Sequence, residues 1–238
     1  LLFLLRFLFS ADNKILTPPF EEAQMNTERI KQFIDEALKH EQETCQLHNI
    51  LQDRLPTVER VVRLPEEQAQ EKLYQFVLKY IQQVPQMMED LHYGAVEAGL
   101  TSYVLPIINV VQSFFEKTSE QLDGSAGMFM LMDKAFLAHR LFEEVNDTYI
   151  MQVGQPMIPF DMTMSNVIVH SLIGEPFAND LDQMVFVAVD ELFGPQQAYN
   201  SEQFLAFMDK KQSDNLVHIA QRWPCMSSQM GIDGMKFG

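Results

Sequence analysis

Six ionisable residues stand where helical packing calls for apolar ones: Glu41 and His48, Glu89 and His92, His139 and Glu143. Their separations of seven, three and four residues place both members of each pair on one side of a helix. Carboxylates and imidazoles carried on facing helices can surround one or two ions, iron or manganese by the chemistry of the donors, in the dry centre of a bundle. The third pair is the sharpest. The stripe Phe129, Met132, Phe136, His139, Glu143, Asn146, Ile150 is apolar at both ends and polar in the middle, and an uncompensated buried charge is costly. His170, on a short helical stretch not far along the chain, is a further imidazole.

Glu89-x-x-His92 resembles the motif of helical di-iron carboxylate proteins, both ferritin-like and heme-oxygenase-like. In the heme-oxygenase-like kind a late helix carries His-x-x-x-Asp/Glu-x-x-His, and His139, Glu143 and Asn146 match two of those three positions. The resemblance implies an all-α bundle and an oxidase or oxygenase with Glu41, His48, Glu89, His92, His139 and Glu143 as metal ligands. Asn146 departs from the pattern, and a second complete Glu-x-x-His is missing, which bears on whether two ions are held. The plainer alternative is that each pair is hydrogen-bonded core, the commoner fate of such residues. A non-catalytic helical module that dimerises or holds an apolar partner or ligand is then the competing function.

The elements that position these residues can be laid out from capping and period. Asn26 or Thr27 caps a helix that the inner stripe Ile30, Ile34, Ala37, Glu41, Cys45, His48, Leu51, Leu55 carries to residue 55, where Pro56 stops it. A second helix starts at Pro65 and runs to 84, with Pro85 kinking or restarting it as far as residue 98. Helices at 102–122 and 128–153 follow, separated by the glycines at 124–127. In the last of these, Asp133, Arg140, Glu144 and Asp147 read as the outward side. Shorter helices are expected at 163–173, 177–193 and within 200–222, although the β-branched runs VIVH and MVFVAV leave a small sheet open. The sum is an all-α, single-domain bundle of seven to nine helices: residues 1–25 an apolar segment and connector, 26–222 the helical core, 223–238 a tail.

Composition narrows the partners. Hydrophobic residues at 47% against 21% charged are the balance of a chain that folds, and the formal charge of -16 repels nucleic-acid backbones and anionic lipid headgroups. Two cysteines without metal-ligand spacing fit a reducing, cytoplasmic setting. No phosphate-binding glycine loop, zinc-protease motif or nucleophile elbow is present. The run LLFLLRFLFS at residues 1–10 falls short of the roughly 20 apolar residues a bilayer span needs, so it is expected to dock on the core or on a partner subunit. Fifteen methionines are core filling or the lining of an apolar groove.

Overall fold

A computed structural model describes residues 26–116, 127–153, 161–193, 227 and 231–235. Among them are seven helices, namely α1 (Thr27–Thr44), α2 (Gln46–Val61), α3 (Ala69–Ala98), α4 (Thr101–Glu116), α5 (Met128–Val153), α6 (Thr163–Ile173) and α7 (Phe177–Phe193). Two short strands, β1 (Val62–Arg63) and β2 (Asp233–Met235), pair antiparallel with Val62 opposite Met235 and Arg63 opposite Asp233. Among the described residues the protein is all-α apart from that pair. The apolar N-terminal run, residues 154–160 and the helix expected within 200–222 lie outside the described residues.

α5 is the hub: it packs against every one of the other six helices. Its Leu131, Ala135, Phe136, Ala138, Leu141, Phe142, Val145 and Tyr149 are all buried, the two adjoining stripes of its helical period. VIVH and MVFVAV fall inside α6 and α7, where β-branched residues fill a helix–helix core rather than a sheet. No described helix is long and apolar enough to cross a membrane.

Two expectations need correction. The helix expected over 27–55 breaks at Cys45, which adopts a left-handed backbone (φ 51°) and separates α1 from α2. Pro56 then sits inside α2, which continues to Val61. A proline removes one backbone donor, and at this exposed position the freed Gln52 carbonyl can turn to water. Pro85 is likewise carried within α3. The second correction concerns Asp133, Arg140 and Glu144, assigned above to the outward side of α5. All three are at least partly buried, because α7 packs along that side and α4 approaches its first turns.

Candidate functional site

Each candidate ligand has a definite place. Glu41, in the last turn of α1, is 2% exposed and reaches across the Cys45 break. Its Oε2 accepts the Leu47 N–H at 2.8 Å and its Oε1 the His48 N–H at 3.0 Å. Cys45 provides no side-chain cap to α2, so the Glu41 carboxylate satisfies those orphan donors and opposes the positive end of the helix dipole. His48 is half-buried, edge-on to Tyr74 at 5.5 Å between ring centroids, with the Gln70 amide nitrogen 3.2 Å from Nδ1.

Glu89, on α3, accepts the Thr27 hydroxyl at 2.7 Å and the Lys31 ammonium at 2.8 Å, which fastens the start of α1 to α3. These hydrogen bonds hold the Glu89 carboxyl below its ordinary range, while those of Glu89 and Glu28 push Lys31 up to about 12. His92, three residues on from Glu89, is half-buried.

His139 lies at the centre of the bundle, 0% exposed, and stacks on Tyr80 with ring centroids 3.9 Å apart. Its Nε2–H donates to the Tyr80 carbonyl at 2.9 Å. That contact fixes the tautomer with the proton on Nε2, and Nδ1 is buried with no hydrogen-bond partner. Burial pushes the imidazole down to about 4, so it is neutral at physiological pH.

Glu143 is the one candidate ligand built into an extended polar network. Tyr80 donates its phenolic O–H to Asn166 Oδ1 at 2.6 Å, and Asn166 Nδ2 donates to Glu143 Oε2 at 2.7 Å. Arg140 donates through Nη1 to the same Glu143 oxygen, through Nη2 to Glu144 at 2.7 Å and through Nε to Asp182 at 2.8 Å. The second Asp182 oxygen lies 3.5 Å from His170 Nε2, which is also 3.0 Å from Asn179 Oδ1. The network ties α3, α5, α6 and α7 together.

Three carboxylates thus share one guanidinium, at side-chain exposures of only 14–23%. Burial opposes the Arg140 charge, but the hydrogen bonds it donates to Asp182, Glu143 and Glu144, with the nearby Glu143 charge, outweigh it and raise its pKa. Burial pushes the Tyr80 phenol well above its ordinary value, and nearby Glu143 adds to the effect. Glu143→Ala should cost about 2 kcal/mol in urea unfolding, roughly double the loss for Glu144→Ala, because it also strands the buried Asn166 amide. Equal losses would show that Asn166 does not depend on Glu143.

The six candidate ligands are therefore spread over separate junctions. Among the described residues no group of three or more His, Cys, Asp or Glu is gathered closely enough to hold a metal ion. Glu41 serves α1–α2, Glu89 serves α1–α3, and His139 and Glu143 serve the interfaces of α5 with α3 and α6. Sequence reasoning missed Tyr80, Arg140, Asn166 and Asp182. Arg140 carried a readable signal, since Glu143 and Glu144 follow it at helical spacing, and Asn166 interrupts the apolar run of α6. Tyr80 and Asp182 gave none.

A second polar pair lies near the start of α5. Lys134 Nζ donates to the Phe114 carbonyl in the last turn of α4, and Asp133 Oδ1 is buried without a partner. Burial raises Asp133 to about 7 and lowers Lys134 to about 8. Asp133 and His139 oppose each other in pH dependence. As pH falls from 6.5 to 4 the unfolded chain protonates His139's imidazole and the fold does not, so stability falls. Between 7 and 3.8 the fold keeps a proton on Asp133 that the unfolded chain has lost, so acidification raises stability. Asp133→Asn removes the second effect. We expect it to be more stable than wild type by about 1–2 kcal/mol near pH 8, with the advantage disappearing by about pH 4. Parallel pH–stability curves for the two proteins would contradict this assignment.

The fold and these contacts define an all-α protein whose polar core residues staple its helices. Comparison with known proteins adds no family: no family model, curated protein or solved structure matches the chain.

Proposed function

We propose that this chain is a non-catalytic helical interaction module, one that presents its bundle surface to an apolar or helical partner. The observation that supports this best is the engagement of Glu41, Glu89 and Glu143. Each carboxylate spends its oxygens on helix caps, hydroxyls, amides or cations at a different junction, so metal loading at a shared site would require breaking several charge-assisted hydrogen bonds. An exposed free thiol at Cys45 accords with a reducing, cytoplasmic setting.

A second reading, a metal-dependent oxidase or oxygenase using iron or manganese, draws on one specific feature. His139 donates Nε2–H to a backbone carbonyl and leaves Nδ1 open, the arrangement by which metal-ligating imidazoles are oriented. The two readings separate in elemental analysis of protein purified without chelator. The module should carry only substoichiometric iron and manganese, and added ions should leave its melting temperature unchanged. One equivalent of either ion, lost in His139→Gln, would overturn the interaction reading.

A further inference from the structure

We infer that residues 231–235 are a displaceable strap, seated in cis on a docking site for an extended peptide that carries an aliphatic anchor after a glycine. This rests on the reading of the chain as an interaction module and names the site and the backbone form of its ligand. The seat is β1, which follows α2 with no intervening residue. Val62 is 0% exposed and Leu64 packs against the core, while Arg63 between them is exposed.

Ile232 is the anchor. It is 0% exposed and joins the hydrophobic core, although residues 194–226 separate Ser227 from the end of α7. Its N–H donates to the Ser227 carbonyl at 2.9 Å, which closes a turn ahead of the strand. Gly231, just before it, is exposed and takes φ 71°. A Cβ there would meet Pro65 Cγ at 3.7 Å and Lys72 Nζ at 3.9 Å, ordinary contacts, so it is the backbone conformation and not space that favours glycine.

Past the anchor the pairing is slight. Two residues of β1 face three of β2, so the ladder is irregular and Gly234 has no residue opposite it. A bulge disrupts a ladder locally, a glycine inside a strand weakens it, and two strands without a third are marginal by themselves. The principal packing partner of β2 is β1, whereas the seven helices pack on one another around α5. One buried aliphatic side chain on a short strand pairing is the construction of β-strand addition, in which main-chain bonds give affinity and a side-chain pocket gives specificity. A peptide that supplies a glycine, an aliphatic residue and an extended backbone can therefore take the place of the strap.

The test uses the full chain and a fluorescein-labelled peptide of residues 227–235, followed by anisotropy. A tethered strap competes at an effective concentration of about a millimolar, so wild type should bind the peptide weakly. Ile232→Asp withdraws the anchor, and Gly231→Val opposes the positive φ at an exposed position; each should bind the peptide at least about tenfold more tightly than wild type. A peptide carrying Ile232→Asp should bind none of the three proteins. In wild type, about millimolar unlabelled peptide should speed amide exchange at residues 233–235. Equal affinity in wild type and both variants, or exchange indifferent to peptide, would overturn the strap. Loss of the helical circular-dichroism signal in Gly231→Val would also overturn it, by making residues 231–235 indispensable to the bundle. A concentration-dependent wild-type dimer abolished by Ile232→Asp would overturn the cis seating and name a second copy as the occupant. Stoichiometric iron or manganese would overturn the interaction reading whatever the peptide does, whereas failed peptide binding in metal-free protein would overturn the seat alone.

Discussion

Arg140→Met should destabilise the protein by about 3 kcal/mol or more, the largest single-residue effect we expect. The methyl thioether keeps an apolar stem of similar shape and removes the charged guanidinium. Glu143, Glu144 and Asp182 then face one another without a cation, at 14–23% side-chain exposure, and breaking a buried pair from one side costs about 3–5 kcal/mol. Residual solvent contact places this site toward the low end of that range. Protonation relieves like-charge crowding, so the gap to wild type should narrow as pH falls toward the carboxylate range. Asp182→Asn in the Arg140→Met background should recover part of the loss, since it removes one of the stranded charges. Urea midpoints at two pH values check both statements. A loss under about 1 kcal/mol would show that the four groups behave as a surface ion-pair cluster.

Glu41→Ala should rank next, at about 3 kcal/mol. Two backbone donors, the N–H groups of Leu47 and His48, lose a charged acceptor, and Leu47 is 0% exposed, so water cannot replace it without opening the junction. Orphaned buried donors cost about 1–3 kcal/mol each, and the lost carboxylate also interacted with the α2 dipole. Glu41→Gln keeps one acceptor oxygen and should lose about half as much. The signature is local as well as global: the Leu47 and His48 amides should exchange with solvent faster than the rest of α2. Unchanged protection of those two amides would rule out the capping role.

Helical period and caps made much of the fold legible before any coordinates. The bounds 128–153, 163–173 and 177–193 coincide with α5, α6 and α7, because each begins or ends against glycine, proline or a loop of small residues. The break at Cys45 was not legible. A cysteine in a left-handed conformation has no sequence signal, while Pro56, the obvious stop, is tolerated because its neighbourhood is exposed.

The same blind spot shaped the candidate site. Glu41 and His48 look like partners two turns apart on one continuous helix, and once the chain turns at Cys45 the carboxylate caps the helix on which His48 stands. The buried charge of Glu143 is compensated by Arg140 on the same helix, and Asn166 of α6 and Asp182 of α7 complete the cluster. Asn166 and Asp182 have ordinary local surroundings, and only the tertiary packing brings them to Glu143 and Arg140.

The β1–β2 pairing has a kinetic consequence. Matching Val62 with Met235 and Arg63 with Asp233 closes most of the chain into one loop through a ladder only two residues long on the β1 side. Closing a loop of that span has a high entropic cost and the ladder returns few hydrogen bonds, so this clasp belongs among the last contacts to form in folding and the first to open. Opening it exposes little of the core built around α5, which makes it a sub-global fluctuation. A protease presented with the native protein should accordingly find residues 233–235 well before it finds any peptide bond within α5.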